Sequence, residues 1–341
     1  MRLAVRAFLS LWKARLRGQV SRSHPVIAKP PHICRMISAT LDRLMPVRRL
    51  IVNADDFGLT DGINRAVRDL HQLGALPSTT LMAAARRFDE AVEISRQQKT
   101  LGVGCHIVLV DGTPVANPSA IPTLLDAFSQ RGDEPRFRAT LGEFVRDLYL
   151  GRINSAHIEQ EAIAQIQRLQ QAGVAVTHVD THKHTHMFPP VLHGVLRAAQ
   201  ACNVRAIRNP FEPAWSVAAT PGAGLVRTWQ VRLLGALRHS FWKSIRQREF
   251  ATTEGCVGVV ATGTLNKVAL RALLDRLPDG TFELVCHPAY MDDELMATRT
   301  RLQQSRQLEL ATLQALPSIL DDLDSSVQLI DFGRLSAASQ H

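Results

Sequence analysis

Cysteine is scarce in this sequence, with five residues among 341, and no two of them form a C-x-x-C pair. Disulfide frameworks and thiolate metal sites both need cysteines at short, regular spacings. The five are Cys34, Cys105, Cys202, Cys256 and Cys286, and four of them stand in apolar surroundings. We therefore expect buried, reduced thiols in a cytoplasmic protein, and neither a disulfide scaffold nor a cysteine-bound metal.

Long apolar runs are also absent, since none approaches the roughly 18 residues that a membrane-spanning helix requires. Hydrophobic residues nevertheless make up 45% of the sequence and charged residues 21%, which is typical of a soluble protein with a sizeable core. The sequence contains no internal repeat and no low-complexity tract. These features favour one folded domain over a membrane-spanning or disordered chain.

The chain beyond its N-terminal segment is not basic, although the formal net charge is +9. Residues 1–49 hold 11 of the 40 Lys/Arg residues and one of the 31 acidic residues, which leaves 29 basic against 30 acidic residues for the rest. An enzyme that acts on nucleic acid is expected to carry a basic footprint on its folded body. The near-neutral body therefore argues against a nucleic-acid partner.

The basic N-terminal segment begins MRLAVRAFLSLWKARLRGQV. Its apolar run is short and no small-residue cleavage site follows, so a secretory signal is a poor match. It fits a basic amphipathic helix that lies on an anionic membrane. It fits equally a dispensable leader, or a start upstream of a true first residue at Met36 or Met45. We predict a leader at 1–47, one domain at 48–333 and a tail at 334–341.

From residue 50 onward, short β-branched runs alternate with helical patterns such as DGINRAVRDLHQLG, whose apolar residues fall on one face. Eight runs are candidate strands, at 50–54, 78–83, 102–109, 174–180, 204–208, 256–261, 282–287 and 326–331. This alternation indicates parallel βαβ units. The strand count and the length predict an α/β fold with a closed, TIM-like (β/α) barrel, and a doubly wound open sheet is the alternative.

Potential metal ligands stand at the ends of three predicted strands. Asp55 and Asp56 end the first strand, His106 lies in the third and His182 follows the fourth. In a barrel these ends converge on one rim, together with the long connections that follow the strands. Two histidines and one carboxylate, with positions left open for water, form a catalytic metal set. We therefore predict a catalytic metal site, although Asp55 alone fits a helix cap equally well.

The histidine-rich stretch VTHVDTHKHTHMFP adds Asp180, His184 and His186 to His182. If the segment stays extended, these four side chains share one face. If it becomes helical, His182 and His186 form the pair on one side. The sequence leaves this choice open, so His184 and His186 are second choices as ligands. A strand histidine such as His106 is also often an ordinary hydrogen-bonded core residue.

Four segments together carry a family resemblance. They are LIVNADDFGLTDGINRAV at 50–67, VGCHIVLVDGTPV at 103–115, THVDTHKHTHMFPPVL at 177–192 and ELVCHPAYMDD at 283–293. In order and spacing they resemble the YdjC-like carbohydrate deacetylases, which include chito-oligosaccharide deacetylases and a hopanoid-biosynthesis branch. The resemblance implies a distorted (β/α) barrel that removes acetyl groups from N-acetylated sugars, with one divalent metal ion, Mg²⁺ or Zn²⁺, at its mouth.

The resemblance also implies roles for individual residues. Asp56, His106 and His182 match the metal ligands of the family. By similarity to the wider polysaccharide deacetylases, Asp55 is the general base and His287 is the general acid. Further candidates for contacts to the ligands or to the substrate are Asp180, His184, His186 and Arg208. Cys105 departs from the Leu or Met that relatives often have, and this apolar exchange should leave the site undisturbed.

The branch of the family bears on the substrate. IRNPFEPAW at 207–215 looks like the hopanoid branch, whereas DTHKHTHMFP looks like the chito-oligosaccharide branch. The segment 225–250 interleaves Trp and Leu with Arg and Lys, which suits a lipid-linked sugar at a membrane surface and equally an ordinary helix packed on the barrel. We expect a glycolipid substrate with chito-oligosaccharides as the alternative, and peripheral membrane contact through 1–20 or 225–250. A homo-oligomer is compatible with the sequence.

Two rival functions use a similar residue set. A metal-dependent phosphoesterase would carry two or three ions per chain and hydrolyse generic phosphate esters. A regulatory protein would bind metal and sugar without turnover. An iron oxygenase with two histidines and one carboxylate is disfavoured, because a predominantly β fold is expected for it.

Overall fold

The computed structural model describes residues 47–126, 134–220, 231, 233–298, 300, 302–324 and 326–338. The predicted leader up to residue 46 lies outside the described residues, as do 225–230 and 232 of the predicted basic segment. Helix α12 (Phe332–Ala338) runs across the predicted start of the C-terminal tail. Among the helices that are described, none combines the length and the apolar character needed to cross a membrane.

The described residues contain a central sheet of seven strands. They are β1 (Arg48–Phe57), β2 (Ser78–Leu81), β3 (Gly102–Ile107), β4 (Val176–Thr181), β5 (Cys256–Val257), β6 (Gly280–Cys286) and β7 (Val327–Leu329). Their order is β4-β3-β2-β1-β6-β5, and β7 pairs with the start of β1. Every pairing is parallel. The predicted α/β class is therefore confirmed.

Two single bridges continue the sheet beyond β4. Val179 of β4 pairs with Ile207, and Ala206 pairs with Ala251, both in parallel. Residue 251 stands shortly before β5, which pairs with β6. The strand order thus continues from β4 round towards β5, and the curled sheet is a distorted (β/α) barrel, as predicted.

The predicted strand at 204–208 was too long, because this segment forms only the two single bridges. The amide of Val179 donates to the carbonyl of Ala206, and the amide of Arg208 donates to the carbonyl of Val179. The ladder stops there, because the Arg208 carbonyl accepts a hydrogen bond from the ring of His186 instead of from β4. His186, which the sequence predicted as a second-choice ligand, therefore ends this strand.

Helices cover the outside of the sheet. In chain order they are α1 (Asp61–Gln72), α2 (Phe88–Gln97), α3 (Leu141–Tyr149), α4 (Ser155–Gln171), α5 (Pro189–Ala201), α6 (Ala214–Ala219), α7 (Arg238–Gln247), α8 (Lys267–Asp275), α9 (Asp293–Ala297), α10 (Gln304–Gln314), α11 (Leu316–Asp321) and α12, with 3-10 turns at Pro118–Ala120, His182–Met187 and Gly235–Leu237. Helix α1 buries Ile63, Ala66, Val67 and Leu70 on the predicted face. The Thr60 side chain accepts from the Ile63 amide and so caps this helix.

The inward face of the strands changes from apolar to charged along the barrel. Near the N-terminal ends, a separate buried cluster consists of Ile51, Ala206, Ala251, Ile330 and Phe332. Strand alternation puts Ile51 and Asp55 on the same face of β1. The charged residues therefore follow this apolar plug towards the C-terminal ends of the strands, where a barrel holds its active site.

Candidate active site

A β-bulge at the end of β1 brings two adjacent carboxylates into one site. Strand alternation alone would send Asp55 and Asp56 to opposite faces. The register between β1 and β2 shifts between Ala54 and Phe57, and Asp56 has a φ of +65°, in the left-handed region that few non-glycine residues adopt. Bulges of this kind re-aim side chains. As a result both carboxylates are buried and reach the histidines of the rim.

Asp56, His106 and His182 meet at the mouth of the barrel. Asp56 Oδ1 lies 3.6 Å from His106 Nε2 and 3.4 Å from His182 Nδ1. The two ring nitrogens are 3.3 Å apart. Three segments far apart in sequence, at the ends of β1, β3 and β4, thus present three ligand atoms to one point.

The chemistry of these atoms fits a divalent metal ion. Zinc ligands lie about 2.0–2.2 Å from the ion, so two ligands at a tetrahedral angle are roughly 3.4 Å apart. The three separations in this site are all close to that value. Asp56 Oδ1 is buried and has no hydrogen-bond partner, which is costly unless a cation satisfies it. Asp56, His106 and His182 would therefore hold the ion.

Asp180 orients His106. Its Oδ1 atom lies 2.8 Å from His106 Nδ1, and this contact makes Nδ1 the protonated nitrogen and leaves Nε2 to face the ligand point. Burial alone would lower the pKa of His106, but the nearby carboxylates of Asp180, Asp55 and Asp56 raise it to about 9. An ion at Nε2 would need the neutral ring, so metal binding would release a proton from His106.

Arg208 lies beneath the rim, is completely buried and pairs with three carboxylates. It binds Asp55 with two parallel hydrogen bonds of 2.8 and 2.6 Å. It also contacts Asp180 Oδ2 at 2.6 Å and Glu283 Oε1 at 2.8 Å. Burial would raise the pKa of Asp55, but Arg208, His106 and His287 hold it well below its usual range. Asp55 therefore stays ionised at neutral pH.

A second group of possible ligands consists of Asp55, His106 and Asp180. Both of its carboxylates already bind the Arg208 guanidinium. His106 is shared with the first group, through its other nitrogen. A guanidinium thus supplies the positive charge that a second ion would bring.

His287 also stands next to Asp55. Its Nε2 atom is 3.9 Å from Asp55 Oδ2, and its ring is partly exposed. Its amide donates to Glu309 Oε2 at 2.5 Å, and its Nδ1 atom lies 3.8 Å from the same oxygen. Burial opposes ionisation of Glu309, but its contacts with His287 keep the pKa of this carboxyl below its usual value.

The histidine-rich segment is neither extended nor α-helical. His182–Met187 forms a 3-10 turn in which Lys183 and His184 have left-handed backbone angles. His182 reaches the site, whereas His184 belongs to neither group of possible ligands among the described residues. His186 is buried, donates from Nε2 to the Arg208 carbonyl and accepts from the Thr181 hydroxyl. Both alternatives derived from the sequence were therefore wrong, and His186 supports Arg208.

Three site residues were not predicted. Glu283 lies in the middle of buried strand β6, and a carboxylate in such a position signals a buried partner. Arg306 and Glu309 share a face of α10 and contact Asp56 and His287 respectively. No motif or spacing in the sequence pointed to this pair, because its partners lie more than 20 residues away.

The chain matches the YdjC-like protein family over residues 49–321, and it belongs to that family. It is 31% identical over 286 residues to a carbohydrate deacetylase of Geobacillus stearothermophilus, a match that covers 84% of this chain and 97% of the relative.

Other relatives agree with this assignment. A carbohydrate deacetylase of Brevibacillus brevis is 29% identical over 84% of this chain and 99% of its own length. A chitooligosaccharide deacetylase of Yersinia enterocolitica is 29% identical over 80% of this chain and 94% of its own length. The crystal structure of a proposed cellobiose-phosphate cleavage protein from Enterococcus faecalis V583 superposes with a TM-score of 0.65 at 21% identity, over 85% of this chain and 99% of that one. This last likeness shows the fold.

Proposed function

We propose that the protein is a metal-dependent hydrolase that removes the N-acetyl group from an N-acetylated amino sugar. The observation that carries the proposal is the buried, unpartnered Asp56 Oδ1 atom facing His106 and His182. The Asp55–His287 pair stands next to it. The names of the relatives, carbohydrate and chitooligosaccharide deacetylases, support the substrate class.

A divalent ion bound by Asp56, His106 and His182 would lower the pKa of a water molecule and polarise the acetyl carbonyl. Asp55 accepts the proton of the attacking water as the general base. Arg208 fixes the plane of its carboxylate through two hydrogen bonds. His287 donates a proton from Nε2 to the departing amine, so that acetate and a free amino sugar are released.

Both proton-transfer groups are prepared for these roles by their neighbours. A carboxylate with a depressed pKa is a weak base, so the reaction needs a water molecule that is itself acidic. Asp55 is such a carboxylate. A metal ion at the neighbouring ligands would make the water acidic enough for this weak base. Glu309 lies next to His287 Nδ1 and helps to position the ring that is proposed to act as the acid.

The finer substrate assignment is a lipid-linked amino sugar of the acetylglucosaminyl hopanoid type. Its support is the surface around α7, where Arg238, Lys243 and Arg246 accompany Trp242, and Leu233 is 76% exposed. Basic and apolar side chains together suit an anionic lipid surface. Chito-oligosaccharides are the alternative. Acetate release from N-acetylglucosaminyl lipids and from chito-oligosaccharides, measured side by side, decides between them.

The proposal also covers the domain organisation of the chain. Residues 48–333 are proposed as the catalytic domain, with 1–47 as a leader and 334–341 as a tail.

Two rival functions are less well supported by the site. A phosphoesterase with two ions is disfavoured, because Arg208 binds both carboxylates of the second ligand group. A binding protein without turnover would keep its sugar affinity and show no acetate release.

The alanine variant of His182 tests the proposed function. We expect His182→Ala to lose both bound metal and acetate release, because it removes one of three ligands. His193→Ala is the matched control, since this histidine of α5 contacts Ser244 instead of the site. Bound metal is measured by elemental analysis and acetate by an enzymatic assay. Full activity of the metal-free wild-type protein would contradict the proposal.

A further inference from the structure

Arg306 approaches the proposed metal ligand Asp56 from a helix outside the recognised motifs. It lies in the first turn of α10 and is only 1% exposed. Its terminal NH2 group donates to Asp56 Oδ2, whereas Asp56 Oδ1 faces His106 and His182. The two oxygens of this carboxylate therefore have different surroundings, one bound to a guanidinium and one unpartnered.

The backbone at Asp56 explains why its side chain needs an external support. The residue occupies the left-handed region within the bulge at the end of β1. Its carboxylate thus projects from an irregular position, where regular strand neighbours do not fix its direction. A rigid donor from another element can fix it instead, because the guanidinium is planar and always charged.

The remaining donors of Arg306 argue against a purely stabilising role. Its Nε and NH1 atoms are buried and without a hydrogen-bond partner among the described residues. Buried donors without partners cost stability, and an arginine kept for stability alone is expected to satisfy more of them. By contrast, the buried Arg208 directs Nε and both terminal nitrogens at carboxylates.

We propose that Arg306 is a positioning residue for the metal ligand Asp56, an inference that rests on the proposed function. It binds Oδ2, turns Oδ1 towards His106 and His182, and keeps the carboxylate a one-oxygen ligand. Because Arg306 is buried behind Asp56, it acts through this ligand and makes no contact with the sugar. The orientation of Asp56 is then set before the ion arrives.

Zinc affinity, measured by competition with a chelator, tests the inference. We expect Arg306→Met to weaken zinc binding about 10–100-fold, the usual effect of removing a partner of a metal ligand. Arg306→Lys keeps the charge but offers a flexible point charge in place of the planar guanidinium, so its zinc affinity should fall between those of the wild-type protein and Arg306→Met. With zinc saturating, KM for the sugar should be unchanged in both variants.

Arg138→Met is the matched control, because Arg138 also pairs with a carboxylate, at 2.8 Å from Asp147, but away from the site. It should lower the denaturation temperature and leave zinc affinity unchanged. Wild-type zinc affinity in a folded Arg306→Met protein would overturn the inference and leave the proposed function intact. If that variant does not fold, wild-type affinity in Arg306→Lys overturns it. Failure of the wild-type protein itself to bind zinc or release acetate would instead refute the proposed function.

Discussion

The two halves of the site differ in the partner that their carboxylates face. In the lower half, the Arg208 guanidinium contacts Asp55, Asp180 and Glu283 directly at 2.6 to 2.8 Å, and burial raises the pKa of Glu283 to about 7. The guanidinium is inaccessible to solvent, so the cation of this half is part of the protein.

The upper half brings together the proposed metal ligands. Asp56 Oδ1, His106 Nε2 and His182 Nδ1 converge, and the buried oxygen has no hydrogen-bond partner. These donor atoms fit a divalent cation. We therefore expect the lower half to carry stability and the upper half to carry function, with Asp55 next to both.

Substitution of Asp55 is expected to have the largest effect on catalysis, because this carboxylate is the proposed general base and lies next to both halves. We expect Asp55→Asn to lower kcat for acetate release about 10²–10⁴-fold, the usual contribution of a general base, while zinc affinity stays close to that of the wild-type protein. Steady-state kinetics and chelator competition measure the two quantities. Wild-type kcat in this variant would show that Asp55 takes no part in the chemistry and only stabilises the lower half.

Arg208 tests the claim that the lower half carries stability. Arg208→Met leaves three buried carboxylates without their cation, and the free energy of unfolding should fall by about 3–5 kcal/mol. The matched change in the upper half is His182→Ala, whose side chain is partly exposed and should cost less than about 1 kcal/mol. Urea denaturation of the metal-free proteins measures both. Equal losses for the two variants would erase the distinction between the halves.

His186 gives a smaller effect than Arg208 and tests whether this histidine supports the site or binds the metal. His186→Ala removes the hydrogen bond to the Arg208 carbonyl and should cost about 1–3 kcal/mol of unfolding free energy. Its zinc affinity should equal that of the wild-type protein. A loss of zinc binding as large as that of His182→Ala would instead make His186 a ligand.

The residues that a sequence pattern could predict are those whose neighbours along the chain constrain them. Asp56 and His106 lie near the ends of strands and His182 follows one, and parallel strands end at one rim whatever their distance in sequence. The fate of His184 and His186 could not be predicted, because it depends on two left-handed residues in the turn after β4. Nothing in a local pattern distinguishes that turn from an extended or helical continuation.

Arg306 and Glu309 were missed for a different reason. They belong to a helix whose own sequence is explained by packing, and their partners come from β1 and the end of β6. Such contacts depend on tertiary structure alone. The short pairing at 206–207 was also beyond a local prediction, because a side chain from another segment, His186, takes the carbonyl that would have continued it.

The most direct test of the central claim is a zinc anomalous-scattering map from crystals of the zinc-loaded protein. The account predicts one peak per chain, about 2.0–2.2 Å from Asp56 Oδ1, His106 Nε2 and His182 Nδ1. A peak bound by Asp55 and Asp180 in place of Arg208, or no peak between the three ligand atoms, would contradict it.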